Sequence, residues 1–184
     1  MSNMYIPEGY KSALDLKGTL SAINNVKDFF QAQLTAELNL HRVTAPLFVL
    51  PESGLNDNLN GVERPVAFGI KEQGDKEAEV VHSLAKWKRM ALGRYGFNVG
   101  EGLYTDMNAI RRDEDTDNIH SIYVDQWDWE RLINKSDRNE EFLKGIVKSV
   151  YSALRITEKY VANNYEYGEC ILPEEIHFIT TQEL

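Results

Sequence analysis

The sequence has a single cysteine and no long apolar run. Cys170 cannot form a disulfide within the chain, and we therefore expect a reducing compartment, the cytoplasm. No stretch reaches the roughly 18 consecutive apolar residues of a membrane span. Residues 1–10 carry no basic segment followed by an apolar run, which argues against a signal peptide. We predict a protein that is neither exported nor embedded in a membrane.

Positive charge is also scarce. The 184 residues include 20 lysines and arginines against 29 aspartates and glutamates, giving a formal net charge of −9. Such a surface repels phosphate backbones and anionic lipids, so neither nucleic acid nor a membrane is expected as a partner. With 42% hydrophobic side chains, the length suits one compact domain over residues 1–184.

Several catalytic motifs are missing. The four histidines show no HExxH or paired spacing, so we predict no zinc site and name no metal ligand. No GxxxxGK[ST] or GxGxxG phosphate loop is present. Ser83 lacks a GxSxG context and Cys170 has no adjacent basic partner, which disfavours catalysis by a nucleophilic side chain.

Two long helices are predicted from apolar residues spaced three or four apart. The first covers Ser12 to Leu40. The second begins at Asp137–Glu140, which has the spacing of a capping box, and ends by Asn163 or Asn164. A shorter helix is expected at Leu84–Tyr95, ending near a glycine.

Strands are predicted from β-branched and apolar segments between turn-rich stretches. His41–Leu50 reads as a strand interrupted at Pro46, because proline cannot donate to a ladder. The turn formers of residues 53–61 place Asp57 in a loop. The other predicted strands are Pro65–Ile70, Glu79–His82, Gly102–Thr105, Ile119–Trp129 and Ile176–Thr180. Clustered strands with long helices at either end predict an α+β fold, with a mainly antiparallel sheet flanked by helices.

A polar row stands out in the strand through residues 122–130. Alternation puts Gln126, Asp128 and Glu130 on one face and the tryptophans on the other. Since tryptophans usually bury a face, the polar row either meets solvent or lines a polar site. Residue pattern alone leaves these two alternatives open.

Basic residues gather in two places. Arg111 and Arg112 precede an acidic loop, and a guanidinium suits a phosphate or carboxylate, although pairing with Asp113–Asp115 is an equal alternative. The predicted short helix also carries Lys86, Lys88, Arg89 and Arg94. Lys86 and Arg89 share a face while Lys88 points elsewhere, so we expect most to be solvated and one to bind an anion.

Three segments resemble the ammonia-dependent asparagine synthetases, or aspartate-ammonia ligases. They are EVVHSLAKWKR at 79–89, GEGLYT at 100–105 and YVDQWDWE at 123–130, and IHF at 176–178 and QEL at 182–184 agree as well. The resemblance runs along nearly the whole chain and implies the catalytic fold of class II aminoacyl-tRNA synthetases. The first helix and the strand at Pro46 then resemble motif 1, which in the family builds a homodimer interface. The arginines, the acidic loop and the strand through Gln126 resemble motif 2, whose arginine holds the α-phosphate of ATP.

The implied reaction joins ammonia to aspartate at the expense of ATP, through a β-aspartyl adenylate, with magnesium as the companion of the triphosphate. By resemblance, Ser83, Lys88 and Gln126 orient the aspartate, with Lys88 also counted as catalytic. Asp128 and Asp57 lie near its amino group or the ammonium, and Asp57 is the hypothetical proton acceptor. The candidates for binding ATP are Arg111, Arg112 and His120. Arg111 matches the family arginine by position, but the spacing to Gln126 also suits Arg112, so this choice stays open.

The resemblance also predicts what is missing. Family members continue beyond Leu184 into further strands and a glycine-rich motif 3 with an ATP-binding arginine, so the domain is expected to be truncated at its C-terminus. Activity of these residues alone is therefore in question. Two alternatives remain: a non-catalytic ligand-binding or dimerisation fragment, and a paralogue similar to a tRNA synthetase, which the net charge disfavours.

Overall fold

The computed structural model describes residues 4–57, 59–165 and 169–184. The chain forms two compact units, one of residues 4–10 and 40–132 and the other of residues 11–39 and 133–184. Its elements, in order, are α1 (Leu16–Leu38), β1 (Leu40–Arg42), β2 (Phe48–Val49), β3 (Ala67–Ile70), β4 (Lys76–Val80), α2 (Ala85–Arg94), β5 (Gly102–Ile110), β6 (Tyr123–Arg131) and α3 (Glu140–Tyr165). Helices and mainly antiparallel strands confirm the α+β prediction, whereas a single domain over 1–184 stays a prediction.

The first unit contains two three-stranded sheets. One has the order β1-β5-β6, with β1 parallel to β5 and β5 antiparallel to β6. The other has the order β2-β4-β3 and is antiparallel throughout. The predicted break at Pro46 is confirmed, because β1 and β2 lie on either side of it in different sheets.

Helix α2 and strand β5 supply most of the core of the first unit. Trp87, Ala91 and Leu92 of the helix are buried in one cluster with Leu103 and Met107 of the strand. Alternation along β5 gives these inward positions and leaves Asp106 and Asn108 exposed. The face of β5 that meets α2 is therefore the apolar one.

The second unit is built on the pair α1 and α3. The rings of Phe29 and Tyr160 stack with centroids 4.2 Å apart, and Asn25 donates to the Tyr165 hydroxyl at 3.0 Å. Asp15 caps the start of α1 through the Gly18 amide, and Asn39 ends it in a left-handed conformation with φ 54°. The predicted first long helix is confirmed.

Some predicted boundaries were wrong. The capping box is formed by Asn134 and Asp137 around a 3-10 turn, while the side chain of Asn139 caps α3 at Phe142. Helix α3 runs on to Tyr165. Strand β4 ends at Val80 instead of continuing to His82, and β5 extends through Ile110.

The strand predicted at Ile176–Thr180 was also wrong, because the structure has no regular element there. The preceding segment lies against α3 through single hydrogen bonds. Tyr151 donates to the Pro173 carbonyl at 2.7 Å, and Arg155 donates to the Glu174 carbonyl at 2.8 Å. Within the predicted loop 53–61, Asn58 lies outside the described residues.

Candidate active site

The junction between β4 and α2 brings a hydroxyl to the start of a helix. His82 and Ser83 follow the strand, and α2 begins at Ala85. The Ser83 Oγ accepts a hydrogen bond from the Ala85 amide at 3.2 Å. Ser83 therefore lies at the N-terminus of α2, where the backbone N–H groups and the helix dipole favour an anionic group.

Lys88 lies one turn further along α2 and is only 4% exposed. Its ammonium donates to the Asp128 carboxylate and, at 2.7 Å, to the Trp129 carbonyl, while Glu130 lies 3.6 Å away. Lys86, Arg89 and Arg94 are exposed, which confirms the expectation that most of this group is solvated, and Lys88 is the buried exception. A buried lysine has to be paired, and β6 supplies the counter-charge.

The polar row of β6 lies beneath α2. In register, Gln126 is opposite Met107 and Asp128 is opposite Thr105, so the row shares the buried face of β5. Gln126 Nε2 lies 3.4 Å from the Met107 sulfur, and the Asp128 side chain is 17% exposed. The solvated-face alternative was therefore wrong. The charges are tolerated on an inner face because Lys88 enters the same space.

Asp57 is held beside this junction through its neighbour Asn56. The Asn56 Oδ1 accepts from the His82 amide at 2.9 Å, and its Nδ2 donates to Glu79 at 3.0 Å. Lys86 donates to the Asn56 carbonyl at 3.1 Å. The loop placement of Asp57 is confirmed. Asn56 was not among the predicted site residues, because an asparagine in a turn-rich stretch is typical of any turn.

Arg111 follows β5 directly and reaches the same junction. Its amide donates to the Ile122 carbonyl at 2.7 Å, and Nη2 donates to the His82 carbonyl at 3.2 Å. Arg112 is exposed and donates to the Pro65 carbonyl at 3.4 Å. Of the two arginines, Arg111 is thus the one bonded to the residue next to Ser83.

The carboxylate after these arginines has another partner. Asp113 accepts hydrogen bonds from the Arg64 side chain and, at 2.9 Å, from its amide. These bonds hold the pKa of Asp113 well below its usual range. Asp113 is thus bonded to Arg64, and the charge of Arg112 also lowers its pKa, whereas the pairing of the two arginines with residues 114 and 115 stays a prediction.

His120 lies elsewhere, on the loop that leads to β6. The side chain is exposed, and its Nδ1 is 2.9 Å from the Asp117 carboxylate. The hydrogen bond that His120 donates to the Asp117 carboxylate raises the pKa of His120. Its role in binding ATP stays a prediction.

The donor set at the junction suits an anionic oxygen, because a guanidinium, an ammonium and a hydroxyl come from three adjoining elements. Magnesium is different. Within the described ranges, no cluster of three His, Cys, Asp or Glu side chains is arranged to hold a metal ion. We therefore name no magnesium ligand among the described residues and assign magnesium no step.

A family model for aspartate-ammonia ligase matches residues 17–184. The chain belongs to this family. It is 63% identical to an aspartate-ammonia ligase of Ruminiclostridium cellulolyticum over 100% of its own length and 55% of that relative's. Over 98% of its length it is 61% identical to the Clostridium tetani ligase, of which it covers 53%. The chain thus spans about half the length of the ligases that it matches.

A solved structure shares the fold of this ligase family member. It is an ATP phosphoribosyltransferase regulatory subunit/histidyl-tRNA synthetase from Bacillus halodurans, matched with a TM-score of 0.51 and 14% identity over 82% of this chain and 40% of that one. The fold is that of class II synthetases. None of the described helices has the length and apolarity needed to cross a membrane.

Proposed function

We propose that the chain carries the aspartate-recognising part of an enzyme that amidates aspartate with ammonia at the expense of ATP. The observation that carries this proposal is the buried pair of Lys88 and Asp128, with Gln126 on the same face of β6. Charged groups are costly on an inner face unless they are paired or meet a ligand. A zwitterionic amino acid presents both charges that such a site complements.

Each side chain has a role that its charge allows. Ser83 and Lys88 bind carboxylate oxygens of the aspartate, and Gln126 binds through its amide. Asp128 binds the ammonium group of the amino acid, sharing its charge between that group and Lys88. Asp57 lies next to the buried Asn56, which fixes the position of its backbone.

The chemistry proceeds in two steps. An oxygen of the aspartate β-carboxylate attacks the α-phosphorus of ATP, and pyrophosphate leaves with the electrons of the broken P–O bond. Ammonia then attacks the β-carbonyl carbon, the bond to the phosphate oxygen breaks, and AMP leaves as asparagine forms. Arg111 stabilises the charge on the α-phosphate, and Asp57 takes the proton lost from nitrogen.

One property of the molecule supports a homodimer. Leu16, Leu20 and Ile23 of α1 are 78%, 63% and 52% exposed, which is unusual for an apolar stripe on a helix. Sedimentation of the chain, with Leu20→Glu as the interface variant, tests the dimer.

The single cysteine and the acidic composition agree with the cytoplasm as the compartment of this protein.

The activity is tested by incubating the purified chain with ATP, magnesium, aspartate and ammonium, and by following AMP and asparagine together. Coupled formation of both supports the ligase. Binding of aspartate without turnover selects the non-catalytic alternative, and stimulation of ATP-pyrophosphate exchange by transfer RNA selects the tRNA synthetase-like one.

Aspartate recognition is tested separately by calorimetry. The variant Gln126→Ala should lose affinity for aspartate, whereas Gln73→Ala, in an exposed turn, is the matched control. Equal affinity of the two variants would refute the assignment of the polar row.

A further inference from the structure

A small polar cavity lies behind the β4–α2 junction in the first unit. It has a volume of about 70 Å³ and is lined by Glu63, His82, Arg111, Arg112, Asp113 and Glu114. A cavity of this size takes one or a few molecules the size of water. It is too small for aspartate or a nucleotide, whose sites are several times larger.

Three polar atoms of the lining residues are buried without a hydrogen-bond partner in the part of the chain that the structure describes. They are Glu63 Oε2, His82 Nε2 and Arg111 Nε. His82 is only 2% exposed, so its ring has no access to bulk solvent. Unpaired buried groups cost free energy, and their presence around one cavity indicates a polar occupant.

The charges around the cavity favour a neutral occupant. Arg111 and Arg112 supply two positive charges, and Glu63, Asp113 and Glu114 supply three negative ones. The Asp113 carboxylate is already bonded to Arg64. The positive and negative side chains at the cavity therefore balance, and neither an anion nor a cation gains from entering it.

The unpaired atoms also define which hydrogen bonds the occupant makes. Arg111 Nε is a donor, Glu63 Oε2 is an acceptor, and His82 Nε2 accepts in one of the two ring tautomers. In the tautomer in which His82 Nε2 accepts, the occupant accepts one hydrogen bond from Arg111 and donates two, to Glu63 and His82. Ammonia has one lone pair and three N–H groups and meets this requirement, whereas ammonium has no lone pair to offer.

We propose that this cavity is a holding site for one molecule of neutral ammonia, bound by Glu63, His82 and Arg111. This inference rests on the proposed function, because ammonia is the nucleophile of that reaction. The His82 backbone links the cavity to the rest of the site. Its amide is bonded to Asn56, its carbonyl to Arg111, and Ser83 follows it.

Arg111 then serves two ligands with different N–H groups. Its Nε binds ammonia, and the remaining part of the guanidinium meets the α-phosphate. Ammonia, the nucleophile, is thus bound next to Arg111, which binds the α-phosphate of the leaving AMP. It is bound in the uncharged form that can attack a carbonyl carbon.

The test is a titration of the intact chain, labelled with ¹⁵N in its histidines, with ammonium chloride against sodium chloride at equal ionic strength. We expect the ring signals of His82 to shift and saturate while those of His177 stay in place. Below the pKa of ammonium the neutral fraction rises about tenfold per pH unit, so half-saturation should need about tenfold less total ammonia at pH 8 than at pH 7. If half-saturation needs the same total ammonia at both pH values, the bound species is ammonium. If the His82 signals do not shift, the cavity holds only water. Either result overturns the proposal.

Variants of Glu63 locate the site. Glu63→Gln replaces one acceptor and should weaken the response of His82 several-fold, whereas Glu72→Gln, in an exposed turn, should not. Glu63→Asp, which keeps the charge but shortens the side chain, provides the same comparison if the first variant does not fold. Equal responses in the Glu63 variants and in Glu72→Gln would overturn the proposal.

Binding of aspartate is measured on the same sample. If aspartate binds and ammonia does not, only the holding site is refuted. If ammonia binds and aspartate does not, the proposed function fails instead.

Discussion

The ammonium of Lys88 joins helix α2 to strand β6, by donating to the carboxylate of Asp128 and, at 2.7 Å, to the carbonyl of Trp129. Both partners belong to the strand that carries Gln126. Because the lysine is nearly fully buried, its charge has to be neutralised within the protein. The pair therefore stabilises the contact between helix and sheet and, in our proposal, also prepares the site for a zwitterion.

Replacing Lys88 by methionine should strongly destabilise the first unit. The variant keeps the length of the side chain but leaves Asp128 largely buried without its cation, which costs about 3–5 kcal/mol for a broken buried pair. Urea unfolding measures the loss. Lys148→Met, an exposed lysine of α3, is the control and should change the free energy of unfolding little. Equal effects of the two substitutions would show that the pair contributes nothing.

Replacing Asn56 by alanine should loosen the loop that carries Asp57. The variant removes the acceptor of the buried His82 amide and a donor to Glu79, a loss of about 1–3 kcal/mol for a buried donor left unsatisfied. Hydrogen exchange at the His82 amide should accelerate. Asn60→Ala, which removes only an exposed bond to the Val62 amide in the same loop, should leave that exchange rate unchanged.

The sequence predicted what depends on local periodicity. The stripe of α1, the short helix α2 and the break at Pro46 follow from side-chain spacing and from the missing proline N–H, and each is confirmed. Alternation in β6 also separated Gln126 and Asp128 from the tryptophans correctly. In each case the chemistry of residues close together in the sequence is enough to predict the local structure.

What depends on tertiary partners was not predictable. The spacing of Lys88 shows which face of α2 it occupies, but only the packing of α2 on β6 makes that face a buried one. Asn56 is important because its side chain donates to Glu79, a residue of a strand more than 20 residues away in sequence. Ile176–Thr180 has the composition of a strand. Such a segment forms a strand only where neighbouring strands are present to pair with it, and composition does not show whether they are.

Replacing Gly102 by alanine should disrupt the sheet of β1, β5 and β6. An added Cβ would lie 2.5 Å from the Glu130 carbonyl oxygen and 2.6 Å from a methyl group of Leu40, and the backbone of β6 cannot move aside easily. We expect a cost of about 1–3 kcal/mol in the free energy of unfolding.

Gly93 of α2 provides the matched control for Gly102. An added Cβ there meets nothing within 4 Å, so alanine should stabilise the helix by about 0.5–1 kcal/mol. Thermal unfolding of both variants gives opposite signs if this account is right. A neutral Gly102→Ala would contradict the close approach of the strands.

The pair of His120 and Asp117 should give the loop before β6 a pH-dependent contact. The hydrogen bond that His120 donates to the Asp117 carboxylate raises the folded-state pKa of His120 above the ordinary value of 6.5. The contribution to stability is therefore fully present below pH 6.5 and is lost as the pH rises through the raised pKa. An NMR titration of the histidines measures the pKa of His120. The variant Asp117→Asn should return this pKa towards 6.5, whereas Asp115→Asn should not.

Arg111 rather than Arg112 should hold the α-phosphate of ATP. Arg111 is half-buried and bonded to the His82 carbonyl beside Ser83, whereas Arg112 is exposed and bonded to Pro65. In an enzyme that forms the adenylate, loss of one such charge-stabilising group costs about a hundredfold in rate or more. Arg111→Met should therefore depress aspartate-dependent ATP-pyrophosphate exchange by that factor, and Arg112→Met should reduce it only slightly. Circular dichroism confirms that both variants fold. A larger loss of exchange in Arg112→Met than in Arg111→Met would assign the α-phosphate to Arg112. Arg111 and the cavity that it lines would then not contact the nucleotide.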